Sequence, residues 1–233
     1  MPLLECKQLT KCYGKGHQPA LNNVDLCVES GQIIGLLGPN GSGKTTFIKL
    51  IAGLITPTGG ELFVGGNAPG RDTKAMVAYL PDASCLMPWM KVLQLVDFFE
   101  TFFADFDRVR AIKIMYSLDI DLNQVYKKLS KGMQDKVQLA LTMARRAKLY
   151  VLDEPIGGVD PAARDYIMRA ILGNTPEDAT VIVATHLIAD IEEVLDEVII
   201  LRKGEIILHD KADTLRAEHD KSVDAIFREV FAC

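Results

Sequence analysis

"QIIGLLGPNGSGKTTFIKLIAGL" spans Gln32 to Leu54, and its reading decides the fold. Gln32 to Leu37 is an apolar run with strand character. "GPNGSGKTT", Gly38 to Thr46, then meets the G-x-x-x-x-G-K-[ST] pattern in full. A helical pattern follows from Lys44 to Leu54. Strand, glycine turn and helix come in the order a phosphate loop requires. Gly38, Gly41 and Gly43 let the backbone curl so that its N–H groups form a nest for phosphate oxygens, and the helix N-terminus adds partial positive charge. Gly38, Pro39, Asn40, Gly41, Ser42, Gly43, Lys44, Thr45 and Thr46 are the expected nucleotide-binding set. Lys44 is expected to reach the β- and γ-phosphates, and the Thr45 hydroxyl to ligate Mg²⁺.

Outward from this loop, strand and helix signals alternate. "LYVLDE" (Leu149 to Glu154) and "TVIVAT" (Thr180 to Thr185) are β-branched runs suited to buried parallel strands. Helices are expected over Pro161 to Leu172 and Ile188 to Leu195. "EVIILRKGEIILHD", Glu197 to Asp210, reads as a hairpin turning at Lys203-Gly204. This is a doubly wound α/β core. Between about Pro88 and Arg146 helical periodicity takes over, as expected of an inserted helical subdomain. Val223, Ile226, Phe227, Val230 and Phe231 fall at i, i+3, i+4, i+7 and i+8, an amphipathic helix in the tail. It either packs on its own domain or contacts a second chain. The whole chain, 1–233, reads as one domain, with 1–87 and 147–210 as the core, 88–146 as the helical subdomain and 211–233 as a helical tail.

Two strand ends carry acids and an imidazole. Asp153 closes an apolar strand and is placed to enter a magnesium shell. Mg²⁺ keeps most of its waters and takes few carboxylates, so the adjacent Glu154 is better suited to act as general base on an attacking water. The alternative is that the pair caps the next helix. His186, in "VATHL", ends a further strand, and strand ends in such a sheet converge on one crevice. It is expected to contact the γ-phosphate or orient the water.

Composition excludes several classes. The chain has 233 residues, 48% of them hydrophobic, and a formal net charge of -5. That acidity argues against nucleic-acid binding. Five cysteines without CxxC spacing fit reduced thiols rather than disulfides or zinc. The N-terminal stretch lacks the apolar run of a signal peptide, and no window approaches the ~20 apolar residues of a membrane helix. The chain is expected to be soluble by itself.

Taken in order, the motifs resemble those of the ATP-binding cassette (ABC) family, the nucleotide-binding subunits of bacterial transporters. They are Tyr13-Gly14, the phosphate loop, "YLPD" (Tyr79 to Asp82), "LSKGM" (Leu129 to Met133), "VLDEP", "GGVDP" (Gly157 to Pro161) and "THL" (Thr185 to Leu187). The resemblance implies a P-loop NTPase core of mainly parallel strands, with an N-terminal antiparallel β portion and an inserted α-helical subdomain. It implies ATP and Mg²⁺ as ligands, Tyr13 stacking on adenine, and Asp82 near the metal. It also implies two cassettes facing head to tail, with Ser130, Lys131, Gly132 and Met133 serving the nucleotide of the other subunit and Asp160 at the dimer seam. The partners would be a second ABC ATPase subunit, identical or paralogous, and a membrane permease. The location would be cytoplasmic, on the inner face of the cell membrane.

Two positions depart from the family pattern. The commoner signature is Leu-Ser-Gly-Gly-Gln, whose S-x-x-Q spacing permits a capping box; Lys131 and Met133 remove that option, and a looser helix start is expected. Lys131 either attracts phosphate or points to solvent. Asp82 stands where the family usually has glutamine: it ligates Mg²⁺, stays out of reach or repels the γ-phosphate. Lys-Gly-Met signatures resemble an exporter-like branch of the family. A soluble ABC ATPase acting on a macromolecular complex is the second class of function.

Overall fold

The computed structural model describes residues 2–14, 18–157 and 161–232, without the side chains of 161–163 and 165. The strands are β1 (Leu4–Lys11), β2 (Leu21–Val28), β3 (Ile33–Leu37), β4 (Gly59–Val64), β5 (Val77–Leu80), β6 (Leu149–Asp153), β7 (Thr180–Thr185), β8 (Glu197–Arg202) and β9 (Glu205–Lys211). The helices are α1 (Lys44–Ile51), α2 (Arg71–Met76), α3 (Val92–Phe102), α4 (Arg108–Ser117), α5 (Lys131–Met143), α6 (Pro161–Gly173), α7 (Ala212–His219) and α8 (Val223–Phe231).

The strands form two sheets. An antiparallel sheet has the order β2-β1-β4, and a larger one the order β5-β6-β7-β3-β8-β9. In the larger sheet only the β8–β9 hairpin is antiparallel, turning at Lys203-Gly204 as expected. Its parallel strands are nearly continuous apolar runs because both faces are covered, whereas β9 at the sheet edge is largely exposed. On β6, Leu149 and Val151 join α1 and the antiparallel sheet in one core, while Tyr150 and Leu152 join the helical layer in the other. Strand alternation therefore divides a single apolar run between two cores.

Residues 88–146 hold α3, α4 and α5, as the loss of strand signals requires. The buried Arg145, just after α5, ties them to the large sheet. It donates to Val77 O at 2.7 Å and Lys74 O at 3.1 Å, pairs with Asp105, and lies over the Phe103 ring. The tail helix α8 packs on its own domain: Val223 and Ile226 are buried in the larger core, with Phe227, Val230 and Phe231 partly buried against it. Ser222 caps it by accepting from Ala225 N at 3.2 Å.

One expected helix is corrected. The segment from Ile188 to Leu195 forms two short 3₁₀ turns, Ile188–Asp190 and Glu192–Val194. Ile188, Ile191 and Val194 recur every three residues, the 3₁₀ period, so tighter turns align the buried Ile188 and Ile191. Cys6, Cys12, Cys27 and Cys85 are free thiols. Among the described residues no helix is long and apolar enough to cross a membrane.

Candidate nucleotide site

Sheet register builds the site. Leu37, the last residue of β3, pairs with Thr185 at the end of β7, and Asp153 at the end of β6 pairs with Ala184. The phosphate loop, the acid pair and the Thr185-His186 corner thus leave the C-terminal ends of three adjacent parallel strands.

The phosphate loop curls between β3 and α1. Gly43 has φ of +114°, and a Cβ there would meet Ala20 O at 2.5 Å, so position 43 needs glycine on both counts. A Cβ on Gly38 would lie 2.5 Å from Leu201 O and from Ser42 Oγ. The loop encloses a cavity of about 360 Å³ lined by Asn40 to Thr46 together with Ala20, Asp82, Asp153 and Glu154. Ligand cavities usually measure about 300–1,000 Å³. The buried Ser42 Oγ has no hydrogen-bond partner among the described residues. Lys44 Nζ donates to Gly38 O at 2.6 Å and Pro39 O at 3.3 Å. Burial pushes the Lys44 pKa down, opposed by the nearby Glu154 and Asp153 carboxylates. An anion in the loop would oppose the burial effect too.

Asp153 is 2% exposed. Its Oδ1 accepts from Thr45 Oγ1 at 3.3 Å, while Oδ2 is buried without a partner among the described residues. Burial raises its pKa first; the Asp82 and Glu154 charges add to the rise, and Thr45 and Lys44 oppose it. A divalent cation would relieve that penalty. A hydroxyl and a carboxylate, with one orphaned acceptor, suit a largely hydrated magnesium ion.

Glu154 sits at φ of +50°, a conformation that costs a non-glycine residue about 1–3 kcal/mol. Its N–H donates to Ala184 O at 2.8 Å, which anchors the turn to β7. Thr185 Oγ1 donates to Glu154 Oε2 at 3.1 Å, and His186 Nδ1 lies 3.0 Å from Oε1. Both carboxylate oxygens are therefore oriented by the strand that carries His186. The sequence reading missed Thr185 as a partner. Within an apolar β run a threonine reads as a strand former, and only register turns its hydroxyl into a ligand of Glu154.

The other expected residues fall around this centre. Tyr13 is 55% exposed, with its hydroxyl 3.4 Å from Thr46 Oγ1 and Lys11 Nζ 5.4 Å from its ring centre. Asp82 lines the phosphate cavity beside Asp153 and Glu154. Ser130 caps α5 by accepting from Met133 N at 3.3 Å, so half of a capping box survives without the glutamine. A Cβ on Gly132 would meet nothing within 4 Å. Ser130, Gly132 and Met133 are not among the residues lining the phosphate cavity of their own chain. Lys131 instead lines a smaller cavity with Asp82, Asp153 and Glu154. Asp160 lies outside the described residues.

A phosphate loop, a strand-end acid pair and a histidine on neighbouring strands define an ATPase cassette of the P-loop NTPase class. Residues 21–157, more than half of the chain, match the family described as ABC transporter. The chain is 30% identical over 213 residues to the SkfA peptide export ATP-binding protein SkfE of Bacillus subtilis, covering 89% of this chain and 88% of that one. It is similar to a solved ATP-binding subunit of an ABC transporter, with a TM-score of 0.86, 28% identity and coverage of 97% and 98%. A dimeric post-hydrolysis cassette, MJ0796 bound to ADP and Pi, matches with a TM-score of 0.79 at 25% identity, covering 89% of this chain and 98% of that one. The chain belongs to the ABC transporter family and is one of its ATP-hydrolysing nucleotide-binding subunits.

Proposed function

We propose that two copies of this chain, or this chain and a paralogue, close head to tail around two MgATP and drive a separate membrane permease. What carries the reading is a half-built site: one cavity holds the phosphate loop, Asp153 and Glu154, while Ser130 and Gly132 sit at an exposed helix start outside it. That helix start has a capped serine, an open glycine and the positive end of the α5 dipole, which suits a γ-phosphate presented by another subunit. Asp160 would lie at the seam of the dimer.

Within each site, the loop N–H groups and Lys44 hold the phosphates, and Tyr13 offers its ring to the adenine. Thr45 and Asp153 would hold a magnesium ion, with Asp82 in the lining of the same cavity. When bound, a magnesium ion there would offset phosphate charge. Glu154 takes a proton from water as the water oxygen attacks the γ-phosphorus; the bond to the leaving β-phosphate oxygen breaks, giving ADP and phosphate. Each Glu154 oxygen has a second lone-pair site beyond its bond to Thr185 or His186, so orientation and proton acceptance are compatible. His186 holds the base through Nδ1 and so orients it toward the attacking water.

The permease reading draws support from an apolar groove of about 280 Å³ beside the Asp82 loop, lined by Leu54, Tyr79, Cys85, Phe99 and Phe103 among others. Trp89, 68% exposed, stands nearby in sequence. A peripheral position on the inner face of the membrane follows from such a partner. Purification of the chain from gently solubilised membranes should bring down a multi-span protein, and that protein should alter the ATPase rate. Steady recovery with ribosomes, and never with membranes, would favour a non-transport ABC ATPase instead.

A further inference from the structure

Beside the phosphate cavity lies a second, smaller one of about 20 Å³, lined by Asp82, Lys131, Asp135, Gln138, Asp153 and Glu154 among others. It has room for about one water molecule. Gln138 is 5% exposed. Its Nε2 donates to Pro81 O at 2.8 Å, tying α5 to the loop that carries Asp82. Its Oε1 is buried in the same lining without a partner among the described residues. The cavity is thus rich in acceptors: four carboxyl groups and an amide oxygen. The described residues contain no group of three or more His, Cys, Asp or Glu side chains able to hold a metal ion. Lys131 is the cationic side chain of this lining, and an ammonium offers three donors and no acceptor.

Lys131 and Asp135 are also i and i+4 on one helix face. Burial raises the Asp135 pKa; Lys131 opposes the rise, and the Asp82 charge adds to it. The Asp135 carboxyl thus senses both Lys131 and Asp82, and all three side chains line the one cavity. Lys131 and Asp82 are, moreover, the departures already noted in the signature and in the loop, and they meet here within one chain.

We propose that Lys131 is a positioning residue for Asp82 of its own chain. Its ammonium offsets the carboxylates of Asp82 and Asp135 across the small cavity, holding the Asp82 loop against α5 so that Asp82 stays at the wall of the phosphate cavity. The reading rests on the proposed ATPase cycle for its catalytic consequence, but the link itself exists before nucleotide binds. One added negative charge at position 82 is balanced by one added positive charge at position 131.

The test is a double-mutant cycle on the full chain with Lys131→Gln and Asp82→Asn, and Lys131→Arg as the charge-keeping control. Two readouts are taken: steady-state ATPase kinetics, and urea unfolding of nucleotide-free protein dilute enough to be monomeric. Lys131 and Asp82 are exposed, so the variants should fold. Lys131→Gln should lower kcat about threefold with little change in KM, and Lys131→Arg should restore it. In the Asp82→Asn background Lys131→Gln should have almost no further effect, and the monomer's unfolding equilibrium should show the same non-additivity. Additive effects in both readouts would overturn the proposal. So would coupling confined to turnover and absent from the monomer, which would assign Lys131 to the partner's nucleotide. Failure of the proposed Glu154 general base would appear separately, as turnover that survives Glu154→Gln while the monomer coupling persists.

Discussion

Glu154→Gln should bind MgATP, hydrolyse it about 10²–10⁴-fold more slowly than the unaltered chain, and accumulate as an ATP-bound dimer. The substitution keeps the side chain's size and leaves an amide oxygen that can still accept from Thr185 or His186. What it removes is the ability to take a proton. Glu154 is held at both oxygens, by Thr185 at 3.1 Å and His186 at 3.0 Å, on a backbone fixed by its bond to Ala184. Such preparation suits the proposed base better than a helix cap. Single-turnover hydrolysis with size-exclusion chromatography would measure both effects. Turnover within a fewfold of normal would remove Glu154 from the role.

Ser130→Arg should leave nucleotide binding to the isolated chain nearly unchanged and reduce hydrolysis by about 10²–10³-fold, the cost of losing an anion donor from a preorganised site. Ser130 is exposed and lies outside the phosphate cavity of its own chain, so an arginine there disturbs neither the core nor the loop. Losing the Ser130 cap on α5 costs about 1 kcal/mol, which the buried run of α5 from Val137 to Met143 can absorb. The added bulk would fall where the second cassette must close. Equilibrium binding of a fluorescent ATP analogue, set beside steady-state turnover, separates these outcomes. Normal turnover, or a collapse of binding by the isolated chain, would contradict the head-to-tail arrangement.

Much of the molecule was legible in the sequence because its chemistry is local. The phosphate loop declares itself through glycine spacing and flanking periodicity, and the β8–β9 hairpin through Lys203-Gly204. Asp153 and Glu154 stand out because they end an apolar strand. The tail helix was legible as an amphipathic element, but only packing showed that Val223 and Ile226 serve their own core. What stayed hidden depends on register and distance. Thr185 becomes a partner of Glu154 because β6 and β7 are neighbours. Asp82, Lys131 and Gln138 meet only because Gln138 fastens α5 to the loop after β5. From Ile188 to Leu195, the i, i+3 spacing of Ile188 and Ile191 suits α-helix and 3₁₀ turns alike, and the chain takes the tighter form.

The most direct test is ATP turnover per chain, followed through serial dilution from concentrations that favour self-association to those where the chain is monomeric. If each hydrolytic pocket is assembled from two chains, turnover per chain should fall roughly in proportion to concentration below the dimer dissociation constant, and added Glu154→Gln chains should change that dependence. Turnover per chain that holds its full value in the monomeric range would mean one chain carries a complete site, and the account of a shared pocket would be wrong.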